Sequence, residues 1–331
     1  PRSAYKLFDQ CSRLKDISGV RDWNTTNMQT MSYMFSGCSS LTDLTDLASW
    51  DTSKMTYMDS MFQGCSGLTD LTGLASWNTS KMTYMSGMFQ DCSNLTNLTP
   101  LTSWNTGNVT SMDGAFWNCS GLNNLEPLAS WNTDKVTNMS TMFYGCKSLT
   151  DLNGLASWNT GNVTSMDEMF WNCSGLNTLN GLASWDTSKA TNMSSMFSGC
   201  RSLTNLTGLA SWNTTNVTSM YDMFHYCSAL TVLTGLASWD TGKATNMSSM
   251  FQDCSSLTNL DGLASWNTGN VSDMNYIFSG CKKLTDASAI NEWDITNVKS
   301  FSYMFHGCPT HPTFTKRVGT WGSDGTFTPT S

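Results

Sequence analysis

Twelve cysteines stand 27 residues apart, from Cys11 to Cys308, with no insertion or deletion between any two of them. A fixed period of that length is the signature of stacked repeats, in which each unit contacts its neighbours and no central core exists. The usual expectation of two domains for 331 residues therefore does not apply. Other residues keep the same step. Eleven of the fourteen tryptophans do so, from Trp23 to Trp293. A Phe stands three residues before every Cys (Phe8, Phe35, Phe62 and onward to Phe305), and a Leu three residues after every Cys but the last (Leu14, Leu41, Leu68).

One coil, read from Trp50, is WDTSKMTYMDSMFQGCSGLTDLTGLAS. Its apolar positions recur at about every third residue, which suits a coil with several corners better than a strand or a long helix. Met55–Met58 and Leu68–Leu71 read as two very short extended segments, with Asp59–Gln63 as one helical turn between them. Asp59, or Ser86 and Ser140 at the equivalent place, suits an N-cap and Gly64 a stop. The Asn-Thr-Ser and Asn-Thr-Gly tripeptides after Trp are turn chemistry, because Asn bonds its own backbone two residues on.

The expected fold is therefore an α/β repeat: a leucine-rich-repeat-like solenoid of about twelve coils of 27 residues, with short parallel strands and one short helical turn per coil. Rungs about 4.8 Å apart give a rod of roughly 55 Å. Residues 1–22 read as a partial capping coil and 23–308 as the solenoid. Residues 309–331 read as a capping hairpin or the start of a linker, with Trp321 and Phe327 as its packing residues. The chain opens inside a partial coil and stops at Ser331, so a monomeric fragment of a longer protein is expected.

The net charge is −8 and only 13% of residues are charged, which makes nucleic acid and anionic membranes poor partners. No apolar run approaches the roughly 20 residues that cross a bilayer, and no secretion signal opens the chain. One inward Cys per coil reads as a ladder of buried thiols, each packing as a small hydrophobe. Bridging adjacent rungs would pull the side chains out of a shared orientation, and single cysteines 27 residues apart lack the close pairs of a zinc site. His225, His306 and His311 have no metal-ligand partner at helix or strand spacing. Phosphate loops and nucleophile elbows are missing, so no metal, cofactor or enzymatic activity is expected. The many Asn-x-Ser/Thr triplets are a by-product of the repeat.

Inward columns of a solenoid are held by packing, so function is sought where outward columns break the consensus. Two residues before Cys the column carries Trp117, Tyr144, Trp171 and His225 in the central coils, and Tyr226 adjoins it. Four residues earlier come Asp113, Asp167 and Tyr221, with Glu168 and Asp222 one position further on. Aromatic faces pair with the C–H faces of sugars while carboxylates accept their hydroxyls, so these ten residues form the candidate ligand-binding patch. The bland alternative is that Trp117 and Trp171 merely cover the ridge between coils. The Met and Trp columns read as core. Thr52, Thr56, Thr79 and Thr83 read as ladder-forming surface, which leaves ice binding as a remote alternative.

The Met-Phe-x-x-Cys-x-x-Leu-x-x-Leu core, as in NMSSMFSGCRSLTNLTGLASWNT from Asn192, resembles the BspA-type leucine-rich-repeat surface proteins of lactobacilli and other Gram-positive and gut-dwelling bacteria. The GTWGSDGTFTP tail is similar to the segment that follows the repeats in that family, whereas the familiar Leu-x-Leu step is here Leu-x-x-Leu. The resemblance implies an extracellular adhesin, anchored in the bacterial wall through parts outside this fragment. Its implied partners are mucin and other host glycoproteins, or extracellular-matrix proteins. Self-association and a passive stalk are the alternative functions. An acidic chain is repelled by sialylated or sulfated mucin at neutral pH, and the repulsion weakens as carboxylates protonate. Mucin retention in a low-salt plate assay is accordingly expected to be stronger at about pH 5 than at about pH 7; equal or weaker retention at the lower pH overturns this.

Overall fold

The structure, a computed structural model, describes residues 1–330. Contacts divide the chain into two compact units, Pro1–Val163 and Thr164–Ser331, each a stack of the same coil.

The stacking rests on an alternating use of backbone donors. In the first unit Met31, Tyr33, Phe35 and Gly37 donate to the carbonyls of Tyr57, Asp59, Met61 and Gln63 one coil on, at 2.6–3.1 Å. The donors between them turn inward: Met34, Ser36 and Cys38 bond back to Met31, Tyr33 and Phe35 at 3.0–3.1 Å. The second unit repeats the pattern, with Asp222, Phe224 and Tyr226 bonding forward to Ser248, Met250 and Gln252 at 2.9–3.0 Å, and His225 bonding back to Asp222 at 3.2 Å. A helix would direct every donor along its axis and a strand would place them in a sheet plane; this segment does each with alternate residues. The expected helical turn at Asp59–Gln63 is therefore corrected to a turn ladder. The ladder needs two left-handed residues per coil, five and one positions before Cys. Ser60 (φ +51°) and Gly64 (φ +73°) supply them in one coil.

The helical turn of each coil lies further along. Eleven three-residue 3-10 turns recur at 27-residue steps among the described residues, from Ser18–Val20 to Ser288–Ile290. All but Thr234–Leu236, which follows Val232, begin two residues after an Asp, Asn or Thr, and most of these side chains accept the N–H that opens the turn. The Asp70 carboxylate accepts the Thr72 N–H at 2.9 Å, and the Asn205 amide oxygen accepts that of Thr207 at 3.2 Å. The extended segments shrink to isolated parallel bridges, such as Thr30 to Tyr57 to Tyr84 to Ser111, and Asp70 to Asn97.

Behind these ladders the Leu, Met, Phe, Trp and Cys columns are buried. Phe35–Phe62 and Phe62–Phe89 stack at 5.8 and 5.9 Å in the first unit, and Trp212–Trp239 and Trp239–Trp266 at 6.4 and 6.3 Å in the second, with planes within 5° of parallel. Centroid separations wider than the roughly 4.8 Å rung spacing mean offset rather than face-centred stacks, the arrangement a ring quadrupole favours. The Trp and Cys polar atoms in the core are paired to the neighbouring coil. Trp50 Nε1 donates to the Val20 carbonyl at 2.9 Å, and Trp239 Nε1 to that of Leu209 at 3.0 Å. The Cys254 thiol donates to the Phe224 carbonyl at 3.2 Å. The cysteines are buried thiols for the most part, with Cys11 exposed and Cys308 half-buried. Burial pushes Cys38 up to about 11 and Cys254 well above the ordinary thiol range, so the ladder is packing rather than chemistry.

One expectation about the surface reverses. Thr52 and Thr79 are each 1% exposed, and their hydroxyls donate to the Asn78 and Asn105 carbonyls at 3.1 and 3.0 Å. That column is core, because a β-branched hydroxyl fits a corner where a carbonyl of the next coil needs a donor. Thr56 and Thr83 remain partly exposed.

In the second unit the chain closes on a two-stranded antiparallel hairpin, β1 (Gly319–Trp321) and β2 (Phe327–Pro329), with Trp321 opposite Phe327. Trp321 meets Phe305 edge-on at 5.2 Å and Phe327 meets Phe301 at 5.2 Å. Arg317 Nη1 donates to the Ile295 and Val298 carbonyls at 2.9 and 3.1 Å, satisfying the outer backbone of the final coil.

The 3-10 turns also explain a glycine column. A Cβ on Gly208 would overlap the Leu179 carbonyl of the preceding coil, whereas one on Gly19 would meet nothing within 4 Å. Gly208→Ala is expected to cost about 1–3 kcal/mol, the usual range for overpacking. Gly19→Ala is expected to be neutral or to gain up to about 1 kcal/mol from the unfolded chain. Urea unfolding of the two variants checks the pair.

Candidate functional site

The turn ladder presents its left-handed residues and those beside them along one outer edge, and the break in the repeat consensus concentrates there. In the second unit a recess of about 420 Å³ opens between coils. Its lining comprises Trp171, Asn172, Ser198, Gly199, Arg201, Tyr221, Asp222, His225 and Tyr226.

Asp222 and Tyr226 occupy the two left-handed positions of their coil, at φ +59° and +57°. Four residues apart, their side chains bracket His225. Its Nδ1 lies 2.8 Å from Asp222 Oδ1, and its ring stacks on Tyr226 with centroids 4.3 Å apart. The other Asp222 oxygen accepts the Ser198 and Ser195 hydroxyls at 3.1 and 3.4 Å. His225 Nε2 is buried, 3.7 Å from Asp253 Oδ2. His225 thus contacts both Asp222 and Tyr226 and braces them at the recess.

The walls are aromatic. Tyr221, 44% exposed, offers its ring to a ligand, whereas Tyr226, 47% exposed, has His225 stacked on it at 4.3 Å and presents the rest of its ring to solvent. Arg201 closes one side, its guanidinium carbon 5.7 Å from the Tyr226 ring centre. Beside the recess, burial raises the Glu168 carboxyl above the ordinary range, reinforced by the charges of Asp167 and Asp222. Burial and Asp222 likewise raise the Tyr221 phenol. Asp167 accepts the Ser165 hydroxyl.

The first unit carries its own, smaller cleft of about 190 Å³, lined by Tyr33, Asp59, Ser60, Ser86, Gly87, Gln90, Asp113, Gly114 and Trp117. Trp117 packs on Tyr144 at 4.8 Å with rings tilted by 44°, and Asp113 accepts the Thr141 hydroxyl at 2.9 Å. Of the ten residues in the sequence patch, Trp171, Tyr221, Asp222, His225 and Tyr226 line the larger recess, with Glu168 beside it through its charge coupling to Asp222. Asp113 and Trp117 belong to the cleft of the first unit.

Sequence reasoning missed Arg201, Asn172, Ser198 and Gly199. Arg201 was legible: it stands one residue after Cys, where Ser66, Ser93, Ser120, Ser174, Ser228 and Ser255 hold most other coils. Asn172 and Gly199 occupy the left-handed position before Cys, where their types are explained by backbone conformation and so carry no functional signal.

Among the described residues no cluster of three His, Cys, Asp or Glu is arranged to hold a metal ion, and no helix is long and apolar enough to cross a membrane.

Together the coil, its ladders and its 27-residue step define a solenoid of the leucine-rich-repeat type. The chain belongs to the family described as "Mycoplasma protein of unknown function, DUF285", whose model matches residues 2–126, 67–177, 146–257 and 229–325. No curated protein matches it. Among solved structures it is similar to a leucine-rich repeat protein from Bacteroides ovatus ATCC 8483, at 17% identity over 87% of this chain and 70% of that one, with a TM-score of 0.40. Fainter likenesses are to the TLR13–ssRNA13 complex (14% identity, TM-score 0.20) and the Drosophila Toll–Spatzle complex (13%, 0.23). The chain spans 80% and 83% of itself in these two matches but 47% and 46% of the other chains.

The raised Glu168 carboxyl has a consequence for stability. A folded value above the unfolded one means that the native state favours the protonated form, so the contribution is present at low pH and is lost as pH rises through the raised value. Glu168→Gln is expected to be more stable than the parent at about pH 7, with the difference vanishing below the ordinary glutamate range, near pH 3. Thermal melts at the two pH values check it.

Proposed function

We propose that this chain is the displayed, ligand-binding part of an extracellular bacterial adhesin, and that it takes host glycoproteins, mucins foremost, through the recess between Trp171 and Tyr226. The observation that carries this reading is the recess itself. It pairs exposed aromatic faces with a carboxylate held by His225 and Ser198, the combination that stacks on a pyranose and accepts its hydroxyls.

The backbone supports it as well. Tyr226 sits at φ +57°, where most coils place Gly, Asn or Asp. A bulky residue there costs of order 1–3 kcal/mol, and such strain collects at binding sites. Acid conditions favour attachment in this reading, since burial raises the Glu168 carboxyl and it loses its charge early as pH falls. Matrix proteins are the alternative partner class, displayed on the same surface; wall anchorage lies in other parts of the protein.

Trp171→Ala is expected to weaken mucin binding by about tenfold, in line with about 1–2 kcal/mol for a lost aromatic face. Trp117→Ala, in the other unit, is expected to leave it unchanged. Tyr226→Gly is expected to weaken binding while unfolding at equal or higher urea concentration. Plate binding and urea titration of the three variants decide the matter: unaltered binding by folded Trp171→Ala and Tyr226→Gly places the ligand elsewhere.

A further inference from the structure

We infer that the preferred ligand of this recess is a sugar acid, its carboxylate taken by Arg201. The inference rests on the glycan-binding reading above and adds the chemical class of the sugar.

Charge accounting in the recess leads to Arg201. The Asp222 carboxylate is committed, with one oxygen 2.8 Å from His225 Nδ1 and the other accepting the Ser198 hydroxyl at 3.1 Å. Arg201 is not committed: among the described residues it makes no salt bridge, and its recorded contact is with the Tyr226 ring at 5.7 Å. That contact keeps the guanidinium at the edge of the recess without using its donors. A guanidinium offers five N–H groups in a fork that matches a carboxylate bidentately. A guanidinium is more weakly hydrated than an ammonium, which lowers the cost of exchanging water for a ligand anion.

The arrangement also orients such a ligand. Its acid group belongs at Arg201, over Tyr226. Its ring lies against the aromatic walls, and its hydroxyl or amide donors reach the Asp222 side. Reversing it would set the ligand's negative charge against Asp222 and the uncompensated Glu168. A neutral sugar would leave Arg201 unused. The position is a substitution of the repeat's usual Ser, so packing does not require it.

The test uses the whole chain and four probes in a calorimetric or interferometric titration: sialyllactose, its carboxyl methyl ester, lactose, and a galacturonic acid dimer. The ester keeps the ring and removes the charge. Sialyllactose is expected to bind about tenfold more tightly than its ester, the worth of a charge-assisted hydrogen-bond pair. Arg201→Gln is expected to bring the two to equal affinity, with Arg201→Lys between. Binding of the galacturonic dimer with the same Arg201 dependence identifies any sugar carboxylate as the ligand, whereas sialyllactose alone narrows it to sialic acid; both uphold the inference. Equal affinity for sialyllactose and its ester in the parent protein overturns the inference and leaves glycan binding standing. Failure of all four probes and of mucin overturns both.

Discussion

Every coil depends on alternate backbone donors finding carbonyls one coil away while the donors between them close local turns. Side chains extend the same dependence. Cys and Trp reach carbonyls 30 residues back, Ser76 reaches Ala48, and Thr79 reaches forward to Asn105. A single inserted residue would shift several of these bonds at once, each orphaned buried group costing about 1–3 kcal/mol. That is a physical account of why the 27-residue step is unbroken from Cys11 to Cys308. Cys fits the same scheme: a small apolar side chain whose thiol adds a second donor to a carbonyl of the preceding coil that already accepts a backbone N–H.

The same ladder sorts the surface. Residues five and one positions before Cys must adopt left-handed φ, which Gly, Asn and Asp tolerate most easily. Five before Cys the column is mixed, with Tyr33, Ser60, Glu168 and Tyr276 alike at positive φ. One before Cys, ten of twelve coils carry Gly, Asn or Asp, so Tyr226 is an outlier there, and its side chain leaves the ladder rather than entering the core.

Much of this was legible in the chain alone, for a definite reason. Columns with one residue type in every coil report burial, and the Phe, Leu, Trp and Cys columns were read correctly as core from their spacing. The local conformation was not legible in the same way. Asp59–Gln63 carries the cap and stop residues of a helical turn, yet those residue types also suit a left-handed ladder, and only the partner coil decides between them. Thr52 was misplaced on the surface because a hydroxyl hides whether it faces water or a carbonyl. At the site, aromatic outliers such as Trp171 and Tyr226 were visible. Arg201 carries a weaker signal, because the column after Cys also admits Lys147 and Lys282 and so tolerates a cation elsewhere in the repeat. The separation of Trp117 from Trp171 into different units has no sequence signal at all, since the repeat is uniform across Val163 and Thr164.

Electrostatics ties the surface to its surroundings at two ranges. The chain's net charge of −8 acts over a Debye length of about 10 Å at moderate salt and repels any polyanionic glycoprotein. Arg201 acts at contact, where a bidentate charge-assisted pair outweighs a screened distant field. Lowering the pH reduces the first effect without touching the second, because guanidinium keeps its proton and a sugar carboxylate ionises at more acidic pH than the protein carboxyls that burial has raised, Glu168 and Asp59. A surface of this kind needs no dedicated switch to hold acidic glycans more firmly in acid. The general negative charge falls, while the one uncommitted cation of the recess persists.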